Sequence, residues 1–92
     1  MKYKLTFSDH ALKNWKFHKK SGNKAILKKI DKLLNELTEH PKVGTGKPEI
    51  LKHASGEMYS RRIDHKHRLV YSIYEEIVTV HVFEVYGHYG DK

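Results

Sequence analysis

The sequence predicts an α+β fold in which a short strand and two helices precede an antiparallel β-meander. Three periodic patterns support this prediction. Apolar and polar residues alternate over 3–7, which is typical of a half-buried strand. Apolar residues recur at steps of three and four over 26–37, which indicates an amphipathic helix. The last third of the chain contains three runs rich in Val, Ile and Tyr, and polar turns separate them.

Capping residues predict where the two helices begin and end. Ser8 or Asp9 can cap the first helix, which we expect to end near 21–22, where a glycine follows a serine. Asn23 can cap the second helix, and Pro41 stops it because the residue before a proline resists helical geometry. The short linker between the helices favours an antiparallel pair.

The rest of the chain divides into an irregular segment and the meander. The segment 41–57 is rich in Gly and Pro, so we expect a loop there, with a short strand near 50–52. The meander runs are 58–63, 68–74 and 77–85. The pair Glu75-Glu76 suits a two-residue hairpin poorly, so the second turn is expected to be longer.

Side-chain alternation predicts the two faces of the meander. If the first hairpin centres on His65, Arg62 lies opposite Arg68 and Ser60 lies opposite Val70. The predicted core face is apolar and carries Tyr59, Ile63, Leu69, Tyr71, Ile73, Val78, Val80 and Val82. The predicted outer face is polar and carries Ser60, Arg62, Arg68, Ser72, Thr79 and His81.

Two arginines opposite each other are unfavourable in a sheet, because like charges repel. Two interpretations remain open for Arg62 and Arg68. Either the pair binds an anion, or the two side chains point apart into solvent at little cost.

Composition limits the class of protein. A chain of 92 residues forms one domain, here 1–92, and its 18 Lys and Arg against 11 Asp and Glu give a formal charge of +7. Such an excess attracts polyanions, although it does not choose among them. The sequence contains no cysteine and no apolar run of signal-peptide or membrane-span length, so we expect a soluble cytoplasmic protein without disulfides.

Several segments together resemble a known family. The matching segments are Gly44-Thr45-Gly46-Lys47-Pro48-Glu49-Ile50-Leu51-Lys52-His53, Ser55-Gly56-Glu57-Met58-Tyr59-Ser60-Arg61-Arg62-Ile63, His67-Arg68-Leu69-Val70-Tyr71 and His88-Tyr89. In this order and spacing they resemble the YoeB/Txe branch of the RelE-like toxins of bacterial toxin–antitoxin systems. The resemblance implies the same α+β fold, a metal-independent endoribonuclease that cleaves messenger RNA on the ribosome, and no cofactor. It also implies a cognate antitoxin of the YefM/Axe kind and a possible homodimer.

The resemblance also implies roles for single residues. Glu49 matches the general base, His88 the general acid and Arg68 the arginine that holds the scissile phosphate. The supporting RNA-binding residues are Lys47, Lys52, Arg62 and Tyr89. The sequence departs from the family pattern at Thr45, where a lysine is common, and at Tyr59, where a tryptophan is common. It also continues beyond Tyr89, where many relatives stop.

These residue types suit metal-free RNA cleavage. The 2′-hydroxyl attacks the phosphate, so a carboxylate can take its proton and a histidine can protonate the leaving oxygen. Arginine suits the phosphate because its planar, permanently charged fork matches phosphoryl oxygens. His81, predicted on the polar face beside Val70 and close to the arginines, could be a second RNA contact, an alternative general acid in place of His88, or simply a half-buried sheet histidine.

Two other functions remain open. The chain could bind RNA or the ribosome without cutting it, or it could act mainly as an autoregulatory partner of an antitoxin. A native metal site is not expected, because the chain has no cysteine and no histidine spacing typical of structural zinc. No membrane partner is expected.

Overall fold

The computed structural model describes residues 2–46, 48–51 and 58–86. In that part of the chain the elements are β1 (Lys4–Phe7), α1 (Asp9–Ser21), α2 (Lys24–Glu39), β2 (Glu49–Leu51), β3 (Met58–Arg62), β4 (Arg68–Tyr74), a 3-10 turn (Glu75–Ile77) and β5 (Thr79–Glu84). The strands form one sheet in the order β1-β5-β4-β3-β2. The pairing of β1 with β5 is parallel, and every other pairing is antiparallel. The predicted α+β class and element order are therefore confirmed.

The helix boundaries match the predicted caps. Ser8 Oγ accepts a hydrogen bond from the Ala11 amide at 3.0 Å, and Asn23 Oδ1 accepts one from the Ile26 amide at 3.1 Å. Gly22 ends α1 in the left-handed conformation, with φ 73°. The second helix ends at Glu39, two residues before Pro41.

The core lies between α2 and one face of the sheet. From α2 it receives Ile30, Leu33 and Leu37, all fully buried. From the sheet it receives the buried side chains of Tyr59, Ile63, Leu69, Tyr71, Val80 and Val82, with Ile73 packed at its margin. These sheet residues were all predicted on the core face.

The last strand begins later than predicted. The 3-10 turn takes up 75–77, and Val78 follows it in the left-handed region at φ 47°. Placing Val78 on the apolar face of a strand over 77–85 was therefore wrong. The cause is the turn itself, in which the Val78 amide donates to the Glu75 carbonyl at 3.1 Å, so pairing starts at Thr79.

Arg61 occupies the core side of β3 and is fully buried. Its guanidinium donates to Glu36 Oε1 at 2.7 Å, to the carbonyls of His40 and Val43 at 2.7 and 2.6 Å, and to Tyr71 Oη at 3.1 Å. These contacts join the sheet to the end of α2 and to the loop that follows it.

Glu36 completes the attachment of that loop. Its carboxylate accepts hydrogen bonds from the amide and the hydroxyl of Thr45, at 2.8 and 2.7 Å. Burial by itself would raise the pKa of Glu36. The bonds from Thr45 and Arg61 outweigh burial and hold its pKa below the usual value. The carboxylate therefore stabilises the fold in its charged form.

Neither helix in the described part of the chain has the length and apolar character that crossing a membrane requires.

Glu36→Gln should weaken the fold at neutral pH and flatten its acid dependence. A depressed carboxyl pKa gives stability that is present above the unfolded-state value, near 4.5, and is lost as the pH falls through the lower folded-state value. We expect the free energy of unfolding at pH 7 to fall by about 1.5–3 kcal/mol, the usual contribution of hydrogen bonds to a charged group. Urea unfolding between pH 7 and 3 measures both effects. Glu39→Gln, on the exposed last turn of α2, is the control, and an equal acid dependence in the wild type and Glu36→Gln would contradict this account.

Gly46→Ala should destabilise the protein more than Gly22→Ala. Both glycines have positive φ, 85° and 73°. A Cβ at Gly46 would lie 2.7 Å from the Arg62 carbonyl oxygen, whereas nothing lies within 4 Å of one at Gly22. We expect a cost of about 1–2 kcal/mol at Gly22 from backbone strain alone, and a larger loss at Gly46, both measured by chemical denaturation. Equal losses would show that the close approach of Gly46 to β3 does not constrain the loop.

A candidate active site on the polar face of the sheet

The candidate site is built by the register of three neighbouring strands. Glu49 on β2 pairs with Ser60 on β3, and Arg62 on β3 pairs with Arg68 at the start of β4. Paired residues share a face, and so do residues two apart along a strand. Glu49, Ser60, Arg62 and Arg68 therefore share the face opposite the core. The predicted hairpin register is confirmed.

Arg68 connects the other polar groups of the site. Its Nη1 donates to Glu49 Oε1 at 2.7 Å and to Ser60 Oγ at 3.0 Å. The Arg68 side chain retains 19% of its exposure and that of Glu49 retains 55%, so the ion pair is open to solvent. An ion pair this exposed contributes only about 0–1 kcal/mol to stability, and it can open when a ligand competes for the arginine.

The ion pair also resolves the problem of two opposed arginines. The Arg62 residue is exposed, while the Arg68 guanidinium turns to the Glu49 carboxylate. The Glu49 carboxylate is therefore an anion that the protein itself places on the face with the two arginines. Both contacts of Arg68 with described residues use Nη1, which leaves the other edge of its guanidinium for a phosphate group.

The loop before β2 fixes Glu49 relative to the arginines. The Arg62 amide donates to the Gly46 carbonyl at 2.6 Å, just before the pairing of Glu49 with Ser60 begins. Arg61 holds the preceding part of the loop from the opposite side of the same strand. Sequence reasoning missed Arg61 as a structural residue. The available signal was its position on the apolar face between Tyr59 and Ile63, where an arginine requires partners.

His81 lies on the polar face, but away from the arginines. It pairs with Ser72 and not with Val70, because the 3-10 turn places Thr79 opposite Tyr74 and so sets the register of β5 on β4. Ser72 is four residues along β4 from Arg68, roughly 13 Å at the usual strand rise. The His81 Nδ1 atom is 2.7 Å from Thr6 Oγ1, a hydrogen-bond distance. The predicted position beside Val70 was wrong, and the half-buried sheet histidine is the better description.

Four predicted site residues lie outside the described part of the chain: Lys47, Lys52, His88 and Tyr89. The structure brings together the other three, Glu49, Arg62 and Arg68. Within 2–46, 48–51 and 58–86, no three His, Asp or Glu side chains are grouped as metal ligands.

A polar cavity adjoins the arginine side of the site. It is open, has a volume of about 340 Å³, and is lined by Lys29, Gly46, Arg62, Ile63, Asp64 and His65. Asp64 accepts bonds from the amides of Lys66 and His67, at 2.8 and 2.7 Å. Burial by itself would raise the pKa of Asp64, but these bonds outweigh burial and hold that pKa below its usual value. On the polar face of the sheet, the exposed carboxylate of Glu49 therefore lies beside the cations of the site. This arrangement suits proton transfer next to a bound anion.

Comparison with known proteins identifies the family. A model of the YoeB-like toxins of bacterial type II toxin–antitoxin systems matches residues 7–89. Toxin YoeB of Escherichia coli K12 is 35% identical over 77 residues, covering 84% of this chain and 90% of that protein.

Solved structures agree with this result. The YoeB dimer of Staphylococcus aureus superimposes with a TM-score of 0.82 at 34% identity, covering 97% of this chain and all of that one. The YoeB–YefM complex of the same organism gives a TM-score of 0.78 at 36% identity, with the same coverage. The family match over residues 7–89, together with these relatives, shows that the chain belongs to the YoeB-like toxins of bacterial type II toxin–antitoxin systems.

Proposed function

We propose that this toxin is a metal-independent endoribonuclease that cleaves messenger RNA, with Glu49 as general base and His88 as general acid. The observation that carries the proposal is the contact of the exposed Glu49 carboxylate with Arg68, directly across from Arg62. A carboxylate and two guanidinium groups on one open face are suited to an RNA phosphate and its 2′-hydroxyl. The charge of +7 favours approach of such a polyanion.

The reaction is a transfer within the RNA. Glu49 removes the proton of the 2′-hydroxyl, and the 2′-oxygen forms a bond to phosphorus. The bond from phosphorus to the 5′-oxygen breaks, and His88 gives that oxygen a proton. The products are a 2′,3′-cyclic phosphate and a 5′-hydroxyl end. No water and no oxidant or reductant is consumed.

Arg68 holds the phosphate beside the base. Its planar fork can bind two phosphoryl oxygens, and the charge that develops on them in the transition state strengthens this contact. Because Nη1 already contacts Glu49, one guanidinium fixes both the base and the phosphate. Arg62 supports the opposite side of the phosphate. The family resemblance assigns further RNA contacts to Lys47, Lys52 and Tyr89.

We also propose the partners that the relatives suggest. A relative forms a dimer and is also found with the YefM antitoxin, so a cognate antitoxin and a homodimer are proposed for this chain. An open cationic face suits an acidic segment of such an antitoxin. If the translating ribosome is where cleavage occurs, the site of action is the cytoplasm.

Glu49→Gln and His88→Gln should each slow cleavage by about 10²–10⁴-fold, the usual contribution of a positioned acid or base. The assay follows a synthetic messenger RNA on translating ribosomes and identifies the product ends. A message with a single 2′-deoxynucleotide at the cleavage position is the matched control, because it lacks the attacking oxygen. Naked RNA with EDTA tests metal independence. Full activity in the Glu49→Gln, His88→Gln double variant would refute the proposal, and binding without cleavage by the wild type would favour the non-catalytic alternative.

Arg68→Ala should lower kcat by roughly 10²–10³-fold, as expected for removal of a group that stabilises transition-state charge. Arg68→Lys should recover little, because an ammonium cannot form the two parallel bonds of a guanidinium. Loss of the ion pair should cost the folded state about 1 kcal/mol or less, since the Glu49 carboxylate is exposed. Lys32→Ala removes an exposed cation from α2 and is the charge-matched control. A rate loss as large in Lys32→Ala as in Arg68→Ala would show that only net charge matters.

A further inference from the structure

The chain leaves the sheet at Val85 and is held there by α1. The last strand ends at Glu84, and Val85 is 2% exposed. Its amide donates to Asn14 Oδ1 at 3.2 Å, and its carbonyl accepts from His18 Nε2 at 2.6 Å. Asn14 and His18, one helical turn apart, thus supply the hydrogen-bond partners that a neighbouring strand would otherwise give to the buried N–H and C=O of Val85.

The next residue is held by aromatic contacts. The ring of Tyr86 lies 4.7 Å from that of His67, 5.1 Å from Phe17 and 5.7 Å from His18, measured between centroids. The rings of His18 and His67 are themselves 5.0 Å apart in an edge-to-face arrangement. Both histidines are buried, at 1% and 7% exposure. We call Asn14, His18, His67 and Tyr86 the C-terminal clamp.

The clamp touches both parts of the chain that carry the proposed reaction. His67 immediately precedes Arg68, and Tyr86 precedes His88 by two residues. We propose that Asn14 and His18 are positioning residues, which align the segment leading to His88 with the start of β4. This inference rests on the proposed role of His88 and adds two residues of α1 that touch no reacting atom.

The filling of buried space does not by itself require a histidine here, although the buried backbone of Val85 needs hydrogen-bond partners. An apolar residue in place of His18 would fill the same buried space, but it could not fix the direction of the Val85 carbonyl. The two hydrogen bonds hold the two peptide groups on either side of the Val85 Cα, so together they restrict the position and the backbone rotation of this residue. General acid catalysis depends on such alignment, since a displacement near 1 Å can cost about 10²-fold in rate.

The test compares variants that remove each bond with variants that keep it. His18→Leu removes the donor, and His18→Gln keeps an N–H near the same place. Asn14→Leu removes the acceptor, and Asn14→Asp keeps it. We expect each Leu variant to lower kcat on translating ribosomes by about 10-fold or more with KM within about twofold, because alignment and not binding is lost. The Gln and Asp variants should recover most of the rate. Ile30→Val, a core change away from the clamp, controls for lower stability.

Combined variants separate positioning from general damage. If His18 acts through His88, then His18→Leu should slow the wild type and Glu49→Gln by the same factor, yet leave His88→Gln nearly unchanged. Amide hydrogen exchange at Val85 and Tyr86 supplies a readout that needs no activity, and it should rise by about tenfold or more in both Leu variants.

The outcomes distinguish this inference from the proposed function. Wild-type rates in His88→Gln would contradict the proposed function itself. If His88→Gln is slow and the added His18→Leu change slows it further, by the same factor as in the wild type, only the proposal for the clamp is overturned. Unchanged amide exchange at Val85 in the Leu variants would also overturn it.

Discussion

The buried guanidinium of Arg61 is the interaction on which the candidate site depends. A buried charge is costly unless every donor is used, and here its partners include a carboxylate, a tyrosine hydroxyl and carbonyls of the loop after α2. Tyr71 extends the network by donating to the Pro41 carbonyl at 2.6 Å. The described loop residues 40–46 form neither helix nor strand, so these bonds determine their path. The loop therefore leads into β2 in the register that pairs Glu49 with Ser60.

Two ion pairs on opposite sides of one small sheet have opposite physical properties. Arg61 with Glu36 is buried, bonded to several groups, and fixed. Arg68 with Glu49 is open to solvent and contributes little to stability, so a phosphate can compete for it. The adjacent residues Arg61 and Arg62 have the same chemistry, but alternation along β3 sends one into the core and leaves the other in solvent. A rigid interior thus supports a site whose own charges can rearrange.

The first helix contributes to the architecture beyond its share of the core. Its N-cap residue, Ser8, also donates to the Phe83 carbonyl at 2.8 Å, and Asn14 and His18 bind Val85 about two and three turns further along. One face of α1 therefore follows the end of β5 and takes up peptide groups there. In the proposed mechanism this connects α1, which carries none of the reacting groups, to the geometry of the general acid. The same two side chains satisfy the buried N–H and C=O of Val85, which apolar residues at these positions could not do.

Local chemistry in the sequence determined the elements, their caps and the hairpin register. Ser8, Asn23 and Gly22 act through their own backbone neighbours, and alternation alone placed Arg62 opposite Arg68. The family resemblance assigned Glu49 to the same site, although no local pattern predicted its contact with Arg68. Tertiary structure alone decided the roles of Arg61 and His18, because their partners are separated from them by 25 and 67 residues in the chain. It also decided the turn at Val78, which sets the register that pairs His81 with Ser72, away from the arginines. Such features depend on hydrogen bonds between segments that are distant in the chain, and the periodicity of the sequence does not predict those bonds.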